Sequence, residues 1–406
     1  MPRLYIKGIG MLIGLIVGAG MFAIPYAFAQ AGIFWGLLHL IVTFLIVLLL
    51  HQWYGEVSFY TKGRHRFTGY VEIFLGRKAK ALALLTTLGA FYGSLLVYGI
   101  LGGKFLANFY AVFNGFSPFF FSLAIFALGG FLTMFKLNKI AEINFYLTMP
   151  IFGFIIYFFV VSLPHIQLSN FHFSGNLFAN SDWFLPYGIW LFALTGFSAL
   201  PETRDIFFGK PVKHFKRVIW ISLAFSAVFY VVFAYSIIRV SGRATTQDAL
   251  SGAALVLGSK ALIVGSIIGF LAVFTSYVAL AIDLKNIFIF DYKRSKSFAW
   301  LIGALPPPIL YLLGINGLAA TLGLIGTFGM GTLGIFIILM RRKMAKTLKE
   351  GQANYLEPID GNKIKINAFL EVAVLIGVCS AVGYDLWRIL HKNKSAPFVC
   401  HKWGQG

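Results

Sequence analysis

The sequence predicts an all-α, polytopic membrane protein, and three observations carry that prediction. Of the 406 residues, 59% are hydrophobic and only 12% charged, with a mean hydropathy of +0.81, so an ordinary soluble core would leave far too much apolar surface uncovered. Apolar windows of about 20 residues, the length an α-helix needs to cross a bilayer, recur along the whole chain. Inside two of these windows the same helix-breaking signature appears: Gly20-Met21-Phe22-Ala23-Ile24-Pro25 and Gly196-Phe197-Ser198-Ala199-Leu200-Pro201, 176 residues apart.

Taken in order, the windows lie near residues 6–28, 32–55, 81–107, 117–135, 140–163, 185–203, 217–239, 260–289, 298–314, 316–340 and 366–389, which makes eleven expected spans. The first has the short basic start of a signal sequence but runs past Pro25 without a cleavage site, so it reads as a retained helix. The third holds Tyr98, Gly102, Gly103 and Lys104, the sixth carries the second break, and the eighth holds Thr275, Ser276 and Asp283. Only the stretch from Arg341 to Lys365 is a hydrophilic connection of any length, so the chain reads as one membrane domain.

Basic residues give the orientation. Of 34 Lys and Arg, 26 fall at the N-terminus or in alternate loops beginning with the one after span 2; Lys104, Arg239, Arg243 and Lys260 lie on the other side, and Arg388, Lys392, Lys394 and Lys402 close the chain. The positive-inside rule then makes the N-terminus cytoplasmic, the loops near Arg64 and Lys346 cytoplasmic, the loop near Ser174 external, and the C-terminal tail external. The tail's own four basic residues run mildly against this. The net charge of +20 is thus explained by orientation rather than by a nucleic-acid partner. Cys379 and Cys400 offer neither a disulfide framework nor metal-ligand spacing.

Spans 1 and 6 run antiparallel in this topology, five spans apart. Two matched interruptions on antiparallel elements are the mark of an inverted repeat: about 6–163 and about 185–340, with 366–389 an addition. Broken backbone at membrane depth is tolerated only where it is buried in protein or lines a cavity. The breaks therefore point to a central binding site. Gly-x-Ser-x-Gly, His-Glu-x-x-His and paired intramembrane Asp are missing from the sequence, which argues against an intramembrane enzyme; a phosphate-binding Gly-x-x-x-x-Gly-Lys-(Ser/Thr) loop is missing too, which argues against a primary pump.

Gly18-Ala19-Gly20-Met21-Phe22-Ala23-Ile24-Pro25-Tyr26-Ala27-Phe28, followed by Gln30-Ala31-Gly32, resembles the first-span signature of the amino acid/auxin permease family and the related bacterial aromatic amino acid permeases. Tyr98 with Gly102 and Gly103, the run from Phe192 through Thr195 and Gly196 to Pro201-Glu202, and Thr275-Ser276 with Asp283 fall where that family's patterns fall. The similarity covers roughly residues 6–290. It implies a leucine-transporter-like fold of five plus five spans with helices 1 and 6 broken, alternating access, and cation-coupled import of neutral amino acids, aromatic ones among them, across the plasma (inner) membrane. An amino-acid-binding sensor or channel, or a permease for another small organic substrate, would use the same features.

The chemistry of the breaks agrees with this. Each leaves free carbonyls at the end of one half-helix and free amides at the start of the next. A zwitterion suits that arrangement, its carboxylate accepting from amides around Gly18, Ala19, Gly20 and Met21 and its ammonium bonding carbonyls near Val17 and Thr195. Pro25 and Pro201 are expected in the first turn of each resumed helix. Gly196, Phe197, Ser198 and Tyr98 complete the candidate site, with Tyr92 and Phe192 as further walls; each aromatic could equally be packing. Thr275 and Ser276 could supply hydroxyls to Na⁺, completed by carbonyls of Gly14, Val17 and Ala272, an arrangement that resembles the core sodium site of leucine-transporter-like proteins; bonding to a carbonyl one turn back is the competing account. Proton coupling would fall to an intramembrane ionisable group, with His39 and Glu56 the leading candidates and His51, Lys104, Glu202 and Asp283 the others. No cofactor is expected beyond the coupling ion.

Overall fold

The computed structural model describes residues 1–110, 117–135, 140–171, 182–350, 356, 364 and 366–392. The expected external loop at Ser174, most of the hydrophilic stretch before Lys365 and the tail with Lys394, Cys400 and Lys402 lie outside the described residues. Within them the chain is helical apart from turns and an isolated bridge between Thr61 and Leu356.

The helices are α1 (Pro2–Ile16), α2 (Gly20–Ala31), α3 (Ile33–Tyr60), α4 (Phe67–Leu75), α5 (Arg77–Tyr110), α6 (Pro118–Leu132), α7 (Ile140–Val161), α8 (Leu185–Ala193), α9 (Leu200–Ile206), α10 (Val212–Ser241), α11 (Leu250–Asn286), α12 (Lys296–Ala304), α13 (Pro306–Leu312), α14 (Leu318–Leu324), α15 (Met330–Lys349) and α16 (Ala368–Lys392). Six stretches of the described residues are each long and apolar enough to cross a membrane: α3, α5, α10, α11, α14 with α15, and α16. The bent pair α1–α2 makes a seventh. The protein is an integral membrane protein. The windows expected as the fourth, fifth, sixth and ninth spans hold α6, α7, α8 with α9, and α12 with α13.

Differences from the windows have physical causes. Helix α5 begins at Arg77 rather than near 81, and α15 continues to Lys349 rather than stopping near 340, because charged residues end an apolar window without ending a helix. Helix α11 starts at Leu250, ahead of the window, and bends at Gly258, whose φ of +80° only glycine adopts freely. A π-turn over Ile325–Gly329 divides the tenth span between α14 and α15; such turns concentrate at functional sites.

Around the site, α5 lies against α11 and α6, α10 against α1 and α2, and α3 against α8, α9, α10 and α15. Of the broken spans, α1 packs chiefly against α10 and α7, α2 against α8, α10 and α3, and α8 against α3 and α14. Helix α8 comes so near α14 that a Cβ on Gly188 would meet the Gly323 carbonyl oxygen at 2.5 Å. That approach is what the small residues of both segments permit.

Candidate functional site

Both breaks form where the repeated signature predicts. Helix α1 stops at Ile16, Val17 is extended (φ −80°, ψ 93°), and α2 restarts at Gly20 with its axis turned by 56°. Helix α8 stops at Ala193; after Thr195 and Gly196 a 3₁₀ turn over Phe197–Ala199 leads into α9. Pro201 lies in the first turn of α9, as expected. Pro25 does not: it sits inside α2, five residues after the restart, where its missing N–H removes the usual helical partner of the Met21 carbonyl.

The breaks touch each other. A Cβ on Gly20 would come within 2.7 Å of the Ala193 Cα, and one on Gly196 within 2.7 Å of Ile16 Cγ1. Gly20 is therefore needed for helix-to-helix contact in addition to any ligand. Two buried scaffold side chains then satisfy groups that the breaks expose. The Tyr230 hydroxyl of α10 donates to the carbonyls of Ile16 at 2.8 Å and Ala193 at 3.2 Å, the ends of α1 and α8. His51 of α3 accepts from the Gly196 N–H at Nε2, 3.0 Å, while its Nδ1 bonds the Val47 carbonyl at 2.8 Å. Neither role was visible in the sequence, where Tyr230 carried no signal and His51 was one of several ionisable residues; both depend on partners more than 30 positions away.

A cavity opens at the junction of the breaks. Gly20, Tyr98, Thr195, Gly196, Phe197 and Ser198 line it, and Phe91, Phe192 and Ser94 add to its walls. The tenth span contributes Ile325, Gly329, Met330 and Leu333 around the π-turn, a wall that no polar or broken motif announced. Val17, Gly18, Ala19 and Met21 belong to the first break but are buried behind this lining. Tyr92 turns away and donates to the Ile302 carbonyl at 2.9 Å. The Thr195 hydroxyl is engaged by the Leu191 carbonyl at 2.6 Å and lies 3.0 Å from Met330 Sδ. Of the first amides of α2, that of Phe22 is taken by the Ala19 carbonyl at 3.2 Å, while Ala19 at the cap has no side-chain oxygen to offer those of Gly20 and Met21.

The expected cation ligands divide. The Thr275 hydroxyl donates to its own helix, at the carbonyls of Leu271 (2.9 Å) and Ala272 (3.1 Å). The Ser276 hydroxyl is buried without a hydrogen-bond partner and faces the first break: a Cβ on Gly18 would sit 3.3 Å from it and 3.2 Å from the Tyr98 hydroxyl. An orphaned hydroxyl beside glycine backbone is an oxygen that a hard cation could use, whereas the Ala272 carbonyl already accepts from Thr275. Among the described residues no group of three or more His, Cys, Asp or Glu could hold a metal ion.

The two leading proton candidates lie away from the cavity. His39 packs among Trp35, Trp183, Phe184 and Tyr187 at centroid distances of 5.4 to 5.9 Å. Glu56 is clamped by Arg341 at 2.6 Å and by Lys216, and Arg341 continues to the fully buried Glu371 at 3.4 Å. This is structural charge pairing across α3, α10, α15 and α16. Lys104 pairs with Asp248 at 3.4 Å. Near Ser198, Arg66 joins Glu202 of α9 (2.8 Å) to Asp283 of α11 (3.0 Å). Burial alone would pull the Arg66 guanidinium down, but Asp283 and Glu202 outweigh it and hold it above its ordinary range.

Comparison with solved structures finds the same fold in transporters. MhsT in complex with L-phenylalanine shares 15% identity at a TM-score of 0.64, covering 95% of this chain and 97% of that one. Mhp1, a nucleobase-cation-symport-1 family transporter in a closed conformation with bromovinylhydantoin bound, shares 11% at 0.63, covering 96% and 93%. A variant of the Eremococcus coleocola manganese transporter shares 13% at 0.59, covering 96% and 95%. The fold is the leucine-transporter-like inverted repeat with broken helices. No curated protein sequence matches the chain. The pattern of one permease family matches residues 3–380, nearly the whole length, and with broken helices meeting at an aromatic-walled cavity this makes the chain a transporter rather than an enzyme: it belongs to the tryptophan/tyrosine permease family.

Proposed function

We propose that this permease imports neutral aromatic amino acids across the inner membrane by cation-coupled symport. The observation that carries the reading is the cavity where the two breaks meet, which combines exposed backbone with the rings of Phe91, Tyr98, Phe192 and Phe197. Backbone amides at the start of α2 suit a carboxylate, and carbonyls around Thr195 suit an ammonium. The rings suit a flat apolar side chain through offset or edge contacts. The family and the phenylalanine held by MhsT support the same substrate class.

Alternating access follows from the two ends of the bundle. Arg66 ties α9 to α11 beside Ser198, and Lys104 reaches Asp248 at the other end. Transport requires these ties to open in turn while the scaffold clamp through Glu56 and Arg341 stays closed. The proposed topology is one transport domain with eleven crossings, N-terminus cytoplasmic and C-terminus external, the repeats being about 6–163 and about 185–340. The orphaned Ser276 hydroxyl favours Na⁺ as the coupling ion, held with the carbonyls of Gly14, Val17 and Ala272.

Uptake of labelled tryptophan, tyrosine, phenylalanine and leucine into proteoliposomes, under Na⁺ and pH gradients imposed separately, tests all of this. Aromatic uptake driven by the Na⁺ gradient is expected. Uptake indifferent to Na⁺ that collapses with the proton gradient would reject Na⁺ coupling, and binding of aromatic amino acids without uptake would make the chain a sensor.

A further inference from the structure

We propose that His51 is the positioning residue of the substrate site, acting as a neutral hydrogen-bond acceptor that sets both the backbone and the aromatic wall of the second break. His51 belongs to α3, outside the broken spans, and is fully buried. Its Nε2 meets the Gly196 N–H at 3.0 Å, and that amide can only donate, so Nε2 carries the lone pair. Its Nδ1 faces the Val47 carbonyl at 2.8 Å, which can only accept, so Nδ1 carries the proton. The two contacts specify one neutral tautomer.

The same imidazole stacks on Phe197, with centroids 3.9 Å apart and planes 20° apart. Phe197 in turn lines the cavity, and Tyr54 packs edge-on against it at 5.9 Å. One side chain therefore fixes the φ/ψ of Gly196, which no helix holds, and the plane of the ring next to it. Gly196 has room for this geometry because its missing side chain leaves the Ile16 contact clear. In a two-part site, backbone for the zwitterion and rings for the side chain, His51 registers one part against the other. Without an acceptor, the Gly196 amide would be stranded in a buried position and the segment would relax toward another partner.

The proposal deepens the reading of the cavity as an aromatic amino acid site, so its test has an arm that needs no substrate. Hydrogen exchange of the segment around Gly196 is compared in detergent-purified wild type, His51→Gln and His51→Leu. Gln retains an acceptor and a donor at the site; Leu removes both while filling similar space. Exchange about tenfold or more faster in the Leu variant, and close to wild type in the Gln variant, is expected. Equal exchange in all three overturns the proposal. A ¹⁵N-histidine spectrum, with the His51 signal assigned by its loss in His51→Gln, should show a protonated Nδ1 and an unprotonated Nε2; the opposite tautomer also overturns it. The substrate arm measures tryptophan and leucine binding in the same variants. A fall in tryptophan affinity of about tenfold in His51→Leu, rescued by Gln and larger than any change for leucine, is expected. Faster exchange in His51→Leu alone, with no tryptophan binding in any variant, wild type included, would reject the substrate reading while leaving the positioning role standing.

Discussion

Replacing Tyr230 by Phe isolates a single hydroxyl that serves both helix breaks. The ring stays, with its packing against Trp190 at 6.2 Å between centroids, so the change removes only the donor to Ile16 at 2.8 Å and Ala193 at 3.2 Å. One proton cannot fully serve two carbonyls, and the shorter bond to Ile16 carries most of the interaction. Both acceptors terminate half-helices and have lost their intrahelical donors. Leaving such a buried carbonyl unsatisfied costs about 1–3 kcal/mol, and every 1.4 kcal/mol is a factor of ten in an equilibrium. If the penalty falls on the substrate-binding conformation, tryptophan affinity drops by about 5- to 150-fold. If it falls equally on all folded conformations, affinity holds and thermal stability drops instead. Binding by scintillation proximity and melting in the same detergent separate these outcomes. A variant whose affinity stays within about twofold and whose melting temperature is unchanged would refute the claim that the hydroxyl caps the breaks, since the expected loss exceeds both limits.

Other consequences can be checked in the same preparations. Ser276→Ala should remove the sodium dependence of substrate binding while Thr275→Ala largely keeps it, because the Thr275 hydroxyl is engaged by Leu271 and Ala272 and that of Ser276 is not; equal loss in both would restore a two-hydroxyl site. Gly20→Leu should fail to give a monodisperse folded protein, since even a Cβ would meet the Ala193 backbone at 2.7 Å, and a well-folded Gly20→Leu would show that α2 and α8 are not held this close. Glu56→Gln should lower stability by about 3–5 kcal/mol, the range for breaking a buried ion pair, without changing which gradient drives uptake; altered coupling in a folded variant would return Glu56 to the proton pathway. Arg66→Gln should speed alkylation of Ser198→Cys by a membrane-impermeant maleimide applied from the Arg66 end, because the tie between α9 and α11 is lost, and an unchanged rate would show that Arg66 is no barrier to the cavity.

Composition and periodicity by themselves determined that the chain is helical, lives in lipid and breaks two of its helices at matched positions. A bilayer tolerates little else: apolar windows have to be helices, and a Gly-x-x-Ala-(Ile/Leu)-Pro interruption has to line or touch something. The breaks at Val17–Ala19 and Thr195–Gly196, with Phe197 and Ser198 beside the second, were legible for that reason; Tyr98 and Phe192 entered through the family resemblance, each open to a packing role, and the structure lines the cavity with both. What fills the gaps in hydrogen bonding was not, because a donor or acceptor can come from any helix that packs nearby. Only the tertiary structure put Tyr230 over two carbonyls, His51 under the Gly196 amide and the π-turn of the tenth span across the cavity. It also set the two proton candidates away from the cavity, Glu56 in ion pairs with Arg341 and Lys216 and His39 in a box of aromatic rings. A titratable residue's type says that it could carry a proton; its neighbours, which only packing decides, say whether it is a carrier, a clamp or a cap.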